Sequence, residues 1–427
     1  MTSKSLLRGL TRAVLPALLL AACGDPVAPG TEDLTELPRA LTSSERAVIQ
    51  SGNSFGLELM RQVAARDTRP NVVLSPLSAS MALGMALNGA DGATFDAMRS
   101  TLGFGELGQA EINESYRSLL ELLTGLDPEV RFDIANSVWA NKDVPFHAAF
   151  LQAVQAAFDA TVESRDFADA ATLQAINAWA KANTGGLIEK ILDQLDPGMA
   201  AILVNAIYFD GTWTSRFDPA KTKSAAFTRE NGSAVQVDMM NLSGATFPFG
   251  GAADYTAVEL PYGGQAFSMV VVVPNGATTA RSFLKALDAA RWEAILQGLT
   301  PREVDQVSIP KFTLAFDTYL NDPLIAMGMG PAFRSGADFT KMSPAGDKIC
   351  IDYVRQKTYI DVDEKGTKAA AVTAVGMRVV SFTGLVANRP FVFAIRERLS
   401  GTLLFVGLVG DPTFEDSGEG ELGEGCR

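Results

Sequence analysis

Apolar residues recur at helical spacing from Ser44 to Val63, and a second helical stretch runs from Pro76 to Asn88. The second has a clear start: Ser75 stands at the cap position and Pro76 at the first helical position, where its missing N–H costs nothing. Ala148 to Phe158 and Ala171 to Ala182 give two further helices, the latter closed by Gly185-Gly186. Beyond residue 200 the pattern shortens. Ala201 to Phe209, Phe267 to Val273, Phe391 to Ile395 and Thr402 to Val409 are continuous apolar runs of strand length, and Val273-Pro274-Asn275-Gly276 reads as a turn. Thr358 to Asp363 alternates apolar and polar positions like a half-buried strand. Helices dominate the first half and strands the second, which predicts an α+β fold with large, mostly antiparallel sheets.

The alternating segment leads into an unusual run, Glu364-Lys365-Gly366-Thr367-Lys368-Ala369-Ala370-Ala371-Val372-Thr373-Ala374. Small side chains predominate and no bulky apolar residue anchors it in a core. As a strand it would place Thr367, Ala369, Ala371 and Thr373 on one face, all of them narrow. As an isolated segment it reads equally as an Ala-rich linker or a short helix, since Ala is the best helix former.

The ends of the chain differ from its middle. Lys4, Arg8 and Arg12 precede the apolar stretch Ala13 to Ala22, the layout of a secretory signal too short to span a bilayer. Leu20-Ala21-Ala22-Cys23-Gly24 resembles the lipobox of bacterial lipoproteins, which implies removal of residues 1–22 and lipidation of Cys23. Multiple acyl chains give stable anchoring to a membrane, so the expected location is the cell envelope; Gly24 after the cysteine favours the outer membrane or cell surface over the inner membrane. Residues 23–44, with Pro26, Pro29 and Pro38, read as a flexible tether; residues 45–414 as one domain; and residues 415–427, rich in Gly and Glu, as a disordered acidic tail.

Composition excludes several classes of function. Apolar residues make up 47% and charged residues 20%, as in ordinary globular proteins. A net charge of −13 argues against a nucleic-acid partner, whose phosphates need a basic surface. Three cysteines do not make a disulfide framework. With Cys23 set aside, Cys350 and Cys426 read as free thiols, one in a strand and one on the tail, with pairing in an oxidising compartment as the alternative. His147 is the only histidine, which removes most hydrolase and metal arguments; no metal or cofactor is expected. Gly52-Asn53-Ser54-Phe55-Gly56 matches the G-x-S-x-G pattern of esterases, but it falls inside a predicted helix without the preceding strand that motif needs.

Separated blocks of the chain resemble the serpins, over almost all of residues 45 to 412. Asn71-Val72-Val73-Leu74-Ser75-Pro76-Leu77-Ser78 is similar to the start of the helix beneath the serpin main sheet, and Asn88-Gly89-Ala90 with Thr94 continues it. Leu203 to Trp213 resembles the central strand of that sheet, and Ile309-Pro310-Lys311-Phe312 its sixth strand. Glu259-Leu260-Pro261-Tyr262 and Val273-Pro274 are similar to the barrel side, Asp363 to Thr367 to the reactive-loop hinge, and Arg389-Pro390-Phe391-Val392-Phe393 to the return strand.

The resemblance implies a monomeric, non-enzymatic, suicide-type inhibitor of serine proteases. In that mechanism an exposed loop is cut, its N-terminal part inserts into the main sheet, and the covalently attached protease is trapped. Glu364, Gly366, Thr367, Ala369, Ala370, Ala371 and Thr373 would form the hinge. Counting fourteen residues on from Gly366 places the reactive bond at Val380–Ser381; counting back from Pro390 places it at Val379–Val380. A valine before the cut suits elastase-like or subtilisin-like proteases, with Arg378 offering a trypsin-like alternative. Ser75, Ser78 and Asn205 match a polar cluster where the sheet parts, and Gln356 stands where the family usually has histidine, so no pH-triggered opening is expected. Lys311, Glu364 and Trp213 match the place where the loop first inserts. The competing function is that of a non-inhibitory serpin acting as a binding or chaperone module.

Overall fold

The first helix, Ser43–Arg66, begins in a capping box: Thr42 Oγ1 accepts from Glu45 N at 3.1 Å, and Glu45 accepts from Thr42 N at 2.6 Å. It crosses the helix Pro76–Leu87 at Gly56, where a Cβ would lie 2.2 Å from the Pro76 side chain. The second glycine of the esterase-like pattern is therefore a helix-crossing residue. Pro76–Leu87 is apolar all round and buried at every position but Ala82, as expected of a helix enclosed by the fold. The computed structural model describes residues 33–365, 383–414 and 426. Residues 1–22 read as a signal, Cys23, Gly366 to Thr373, the Val380–Ser381 bond and most of the acidic tail lie outside the described residues.

Among the described residues, strands make four sheets. The largest is a seven-stranded antiparallel sheet, ordered Val72–Leu74, Leu403–Val409, Phe391–Glu397, Phe267–Pro274, Tyr255–Tyr262, Ala245–Ala252 and Thr300–Val304. Its central strands are buried along their whole length, which explains why they read as continuous apolar runs. A four-stranded sheet joins Gly384–Val386, Gln306–Pro310, Ala234–Leu242 and Lys223–Thr228. Two smaller sheets position the site. One has three strands, Ala160–Arg165, Val130–Asn141 and Ala201–Gly211, with Ala201–Gly211 at its edge; the other pairs Phe312–Tyr319 with Arg355–Val362. The main core lies on one face of the three-stranded sheet. The helix Ala170–Asn183 covers the other, packing Ile176 with Trp139, Ile202 and Val204.

Two expectations change. The sequence reads residues 23–44 as a flexible tether, yet within the described part Leu34 N donates to Gly264 O at 2.7 Å and packs on the core, and Arg39 pairs with Glu45 and Ser118. Glu45 is almost fully buried. Burial pushes its carboxyl up, but donors from Arg39, Ser118 and Thr42 outweigh that and bring it to about 2. Cys350 and Cys426, read as free thiols, form a disulfide with Cα atoms 5.6 Å apart. Sequence separation concealed this pairing, because the two positions are 76 apart along the chain and the fold alone brings them together.

Candidate functional site: a cleft between two strand edges

Among the described residues, no ladder joins Ala201–Gly211 to Arg355–Val362. Between these edges runs a cleft of about 580 Å³, walled by Ala201 to Phe209 on one side and Arg355 to Tyr359 on the other. The segment read as the central strand of one large sheet is thus an edge strand here. Its floor is the helix Pro76–Leu87, which presents Ser78, Ala79, Ala82, Leu83 and Ala86, one helical face of mainly small side chains. Leu187, Ile188 and Ile191, after the helix Ala170–Asn183, also line it.

Polar groups gather where floor meets walls. Ser75 N donates to Gln356 Oε1 at 2.9 Å and Gln356 Nε2 donates back to Ser75 O at 3.0 Å, so one amide side chain caps both backbone groups of the residue that starts the helix. Ser75 Oγ in turn accepts from Ser78 N at 3.3 Å, the helix cap expected from Ser75-Pro76. Asn205 does not join them. Its Nδ2 donates to Asn136 Oδ1 at 2.7 Å on the neighbouring strand, and Asn136 donates to Phe158 O at 2.7 Å. Asn205 Oδ1 is buried without a partner. Asn136 was missed from the sequence, although Asn136 and Ser137 form a polar pair between the apolar residues Ile134-Ala135 and Val138-Trp139, and buried polar residues find bonded partners.

The upper end is pinned by a second group. Trp213 stacks on Tyr262 with ring centroids 4.2 Å apart, and its Nε1–H donates to Asp363 O at 2.9 Å. Lys311 Nζ lies 2.9 Å from Glu364 Oε2, and Thr222 Oγ1 donates to Glu364 Oε1 at 2.7 Å. Thr222 carried no signal in the sequence, being an ordinary threonine at a loop end. Burial raises the Glu364 carboxyl, but the Thr222 and Lys311 donors prevail and hold it below the usual carboxylate range. Asp363 and Glu364, just ahead of Gly366, are thus bound at the upper end of the cleft.

Below the cleft wall, Arg355 pairs with Asp317 at 2.8 Å and Asp193 at 3.0 Å, and Lys357 with Asp317 at 2.9 Å, fastening this strand to its neighbour. Cys350 and Cys426 line the lower end. His147 stands exposed just ahead of the helix Ala148–Phe158, and among the described residues no acidic, histidine or cysteine cluster is placed to hold a metal. No helix among them is long and apolar enough to cross a membrane.

Residues 50–412 match the family described as serpin (serine protease inhibitor), and the chain belongs to that family. It is 32% identical to Iris of Ixodes ricinus over 370 residues, covering 83% of this chain and 97% of that protein. A thermophilic serpin, tengpin, in its native state superimposes with a TM-score of 0.77 at 29% identity, covering 90% of this chain and 97% of that one. Human thyroxine-binding globulin complexed with thyroxine superimposes with a TM-score of 0.78 at 26% identity, covering 87% of this chain and all (100%) of that one.

Proposed function

We propose that the protein is a single-use inhibitor of serine proteases. The observation that carries this reading is the cleft between two strand edges, with Glu364 held at its mouth and a run of small residues following directly. The protease serine attacks the carbonyl of Val380, the amine of Ser381 leaves, and an acyl bond joins the two proteins. The freed upstream segment then descends between the edges, antiparallel to Arg355–Val362, and gains hydrogen bonds along both. Gly366 allows the reversal, and Thr367, Ala369, Ala371 and Thr373 pass over the small-residue face of the floor helix. Fourteen residues from Thr367 to Val380 span about 46 Å as a strand, enough to carry the protease from one end of a domain to the other. Ser75, Ser78, Asn205 and Gln356 act where the walls part, the orphaned Asn205 oxygen being an acceptor on the wall itself. The protein turns over no substrate.

Incubation with elastase and with subtilisin, followed by denaturing electrophoresis, tests the proposal. A stable covalent complex is expected, and the cleaved protein should melt at a markedly higher temperature. Cleavage without a complex or a rise in melting temperature overturns it in favour of a non-inhibitory binding module.

We further propose a monomer held at the cell envelope through lipid on Cys23, a reading supported by the basic start, the apolar stretch Ala13 to Ala22 and the Leu20-Ala21-Ala22-Cys23-Gly24 motif. Mass spectrometry of the mature N-terminus tests this: a diacylated or triacylated cysteine is expected, and an unmodified Cys23 refutes it.

A further inference from the structure

Cys350 lies five residues before the cleft-wall strand Arg355–Val362, and Cys426 is the penultimate residue of the chain. Both line the lower end of the cleft; Cys426 is exposed and Cys350 half-buried. Their Cα atoms lie 5.6 Å apart, an ordinary disulfide separation, so the bond holds Cys426 beside Cys350 at this end of the cleft. An added strand that starts opposite Val362 and descends residue for residue brings Val379 about level with Cys350. The disulfide occupies the end of the inserting strand's path.

We propose that the Cys350–Cys426 disulfide is a redox-controlled stop on insertion. Closed, it holds Cys426 where the last inserted residues must go. Opened by a dithiol reductant, it clears that path. The inference rests on the inhibitory reading above and adds to it a control of trapping efficiency.

The chemistry balances as ordinary thiol–disulfide exchange. A thiolate of the dithiol attacks the exposed Cys426 sulfur, and the Cys350 sulfur leaves as a thiolate that takes a proton. The second thiol of the reductant displaces the Cys426 sulfur, giving two protein thiols and the oxidised dithiol. With the stop closed, the final step of insertion slows and the acyl enzyme has longer to hydrolyse, so more inhibitor is spent as plain substrate. The 76-residue separation also encloses every candidate cleavage point from Arg378 to Ser381. The cut chain remains one covalent piece until the disulfide is reduced.

The test compares oxidised protein, protein reduced with dithiothreitol that is removed before the protease is added, and Cys426→Ser with and without the same treatment. Each is incubated with elastase, and the ratio of complexed to merely cleaved inhibitor is read on a denaturing gel. We expect a several-fold higher ratio in the reduced protein and in Cys426→Ser than in the oxidised protein, with no effect of reductant on the variant. The melting-temperature rise on loop cleavage, measured within each protein so that any change in basal stability cancels, should be larger in Cys426→Ser. Equal ratios and equal rises overturn the stop. Release of the C-terminal fragment from cleaved wild-type protein on a non-reducing gel also overturns it. Absence of any rise in both proteins overturns the inhibitory reading instead.

Discussion

Gln356→Ala removes the side chain that ties the cleft wall to the helix beneath it. Gln356 is 7% exposed and Ser75 3%, so water does not replace the lost bonds. The two backbone groups of Ser75 fare differently. Its carbonyl still accepts from Ala79 N at 3.1 Å, while its N–H, bonded to Gln356 Oε1 at 2.9 Å, becomes an orphaned buried donor. An orphaned donor costs about 1–3 kcal/mol and the weakened carbonyl roughly 1 kcal/mol more, so the expected loss is about 3 kcal/mol. Unfolding entropy near 2.1 cal/mol/K per residue over a domain of this size converts that to a fall in melting temperature of roughly 4 °C. The measurement is a thermal scan of the uncleaved protein at fixed rate, beside the rate at which inhibitory capacity decays on warming. The decay should quicken, because the wall strand has lost its bond to the floor. A melting temperature within about 1 °C of the parent refutes the reasoning, as it means that the Ser75 N–H finds another partner or was never enclosed.

Gln356→His introduces a group that titrates between pH 5 and 8, so stability of the uncleaved protein should become pH-dependent in that window while the parent stays flat; parallel profiles refute a direct link between this side chain and sheet opening. Glu364 has its carboxyl held below its unfolded value, so its contribution to stability is present above the ordinary carboxylate range and is lost as pH falls through the folded value. Lys311→Ala removes one of the donors and should move that acid loss to higher pH, read as melting temperature between pH 7 and pH 3; coincident curves count against the ion pair. Ala371→Arg puts a long charged side chain on the inward face of the inserting strand, so protease incubation should give cleaved protein in place of complex, and undiminished complex formation contradicts the predicted facing. Gly56→Ala drives a methyl into Pro76, at a cost of about 1–3 kcal/mol, and a variant as stable as the parent in chemical denaturation refutes the close crossing.

The elements of the fold were largely legible in the sequence because their signals are local. Ser75-Pro76 starts its helix, Ala148–Phe158 is bounded as expected, and the apolar runs around Val270, Phe393 and Val406 are buried strands. The cleft was legible only through resemblance. Ala201 to Phe209 reads as a continuous buried strand, and no pattern in it says that one edge is left without a neighbour, since strand pairing depends on what the rest of the chain brings alongside. Gln356 and Ser75 are 281 positions apart and Thr222 and Glu364 142, and polar residues of this kind carry no mark of whom they bond.

By itself the sequence determined the kinds of element, the family and the run of small residues after Glu364, because periodicity, caps and side-chain size are properties of neighbouring positions. The tertiary structure alone decided that Ala201–Gly211 and Arg355–Val362 stand apart over a helix of small residues, that Asn136 takes the Asn205 amide, and that Cys426 closes on Cys350. Each of these depends on distances between residues remote along the chain. Such distances are set by how whole sheets and helices pack, where burial of apolar surface outweighs any preference written into a single segment.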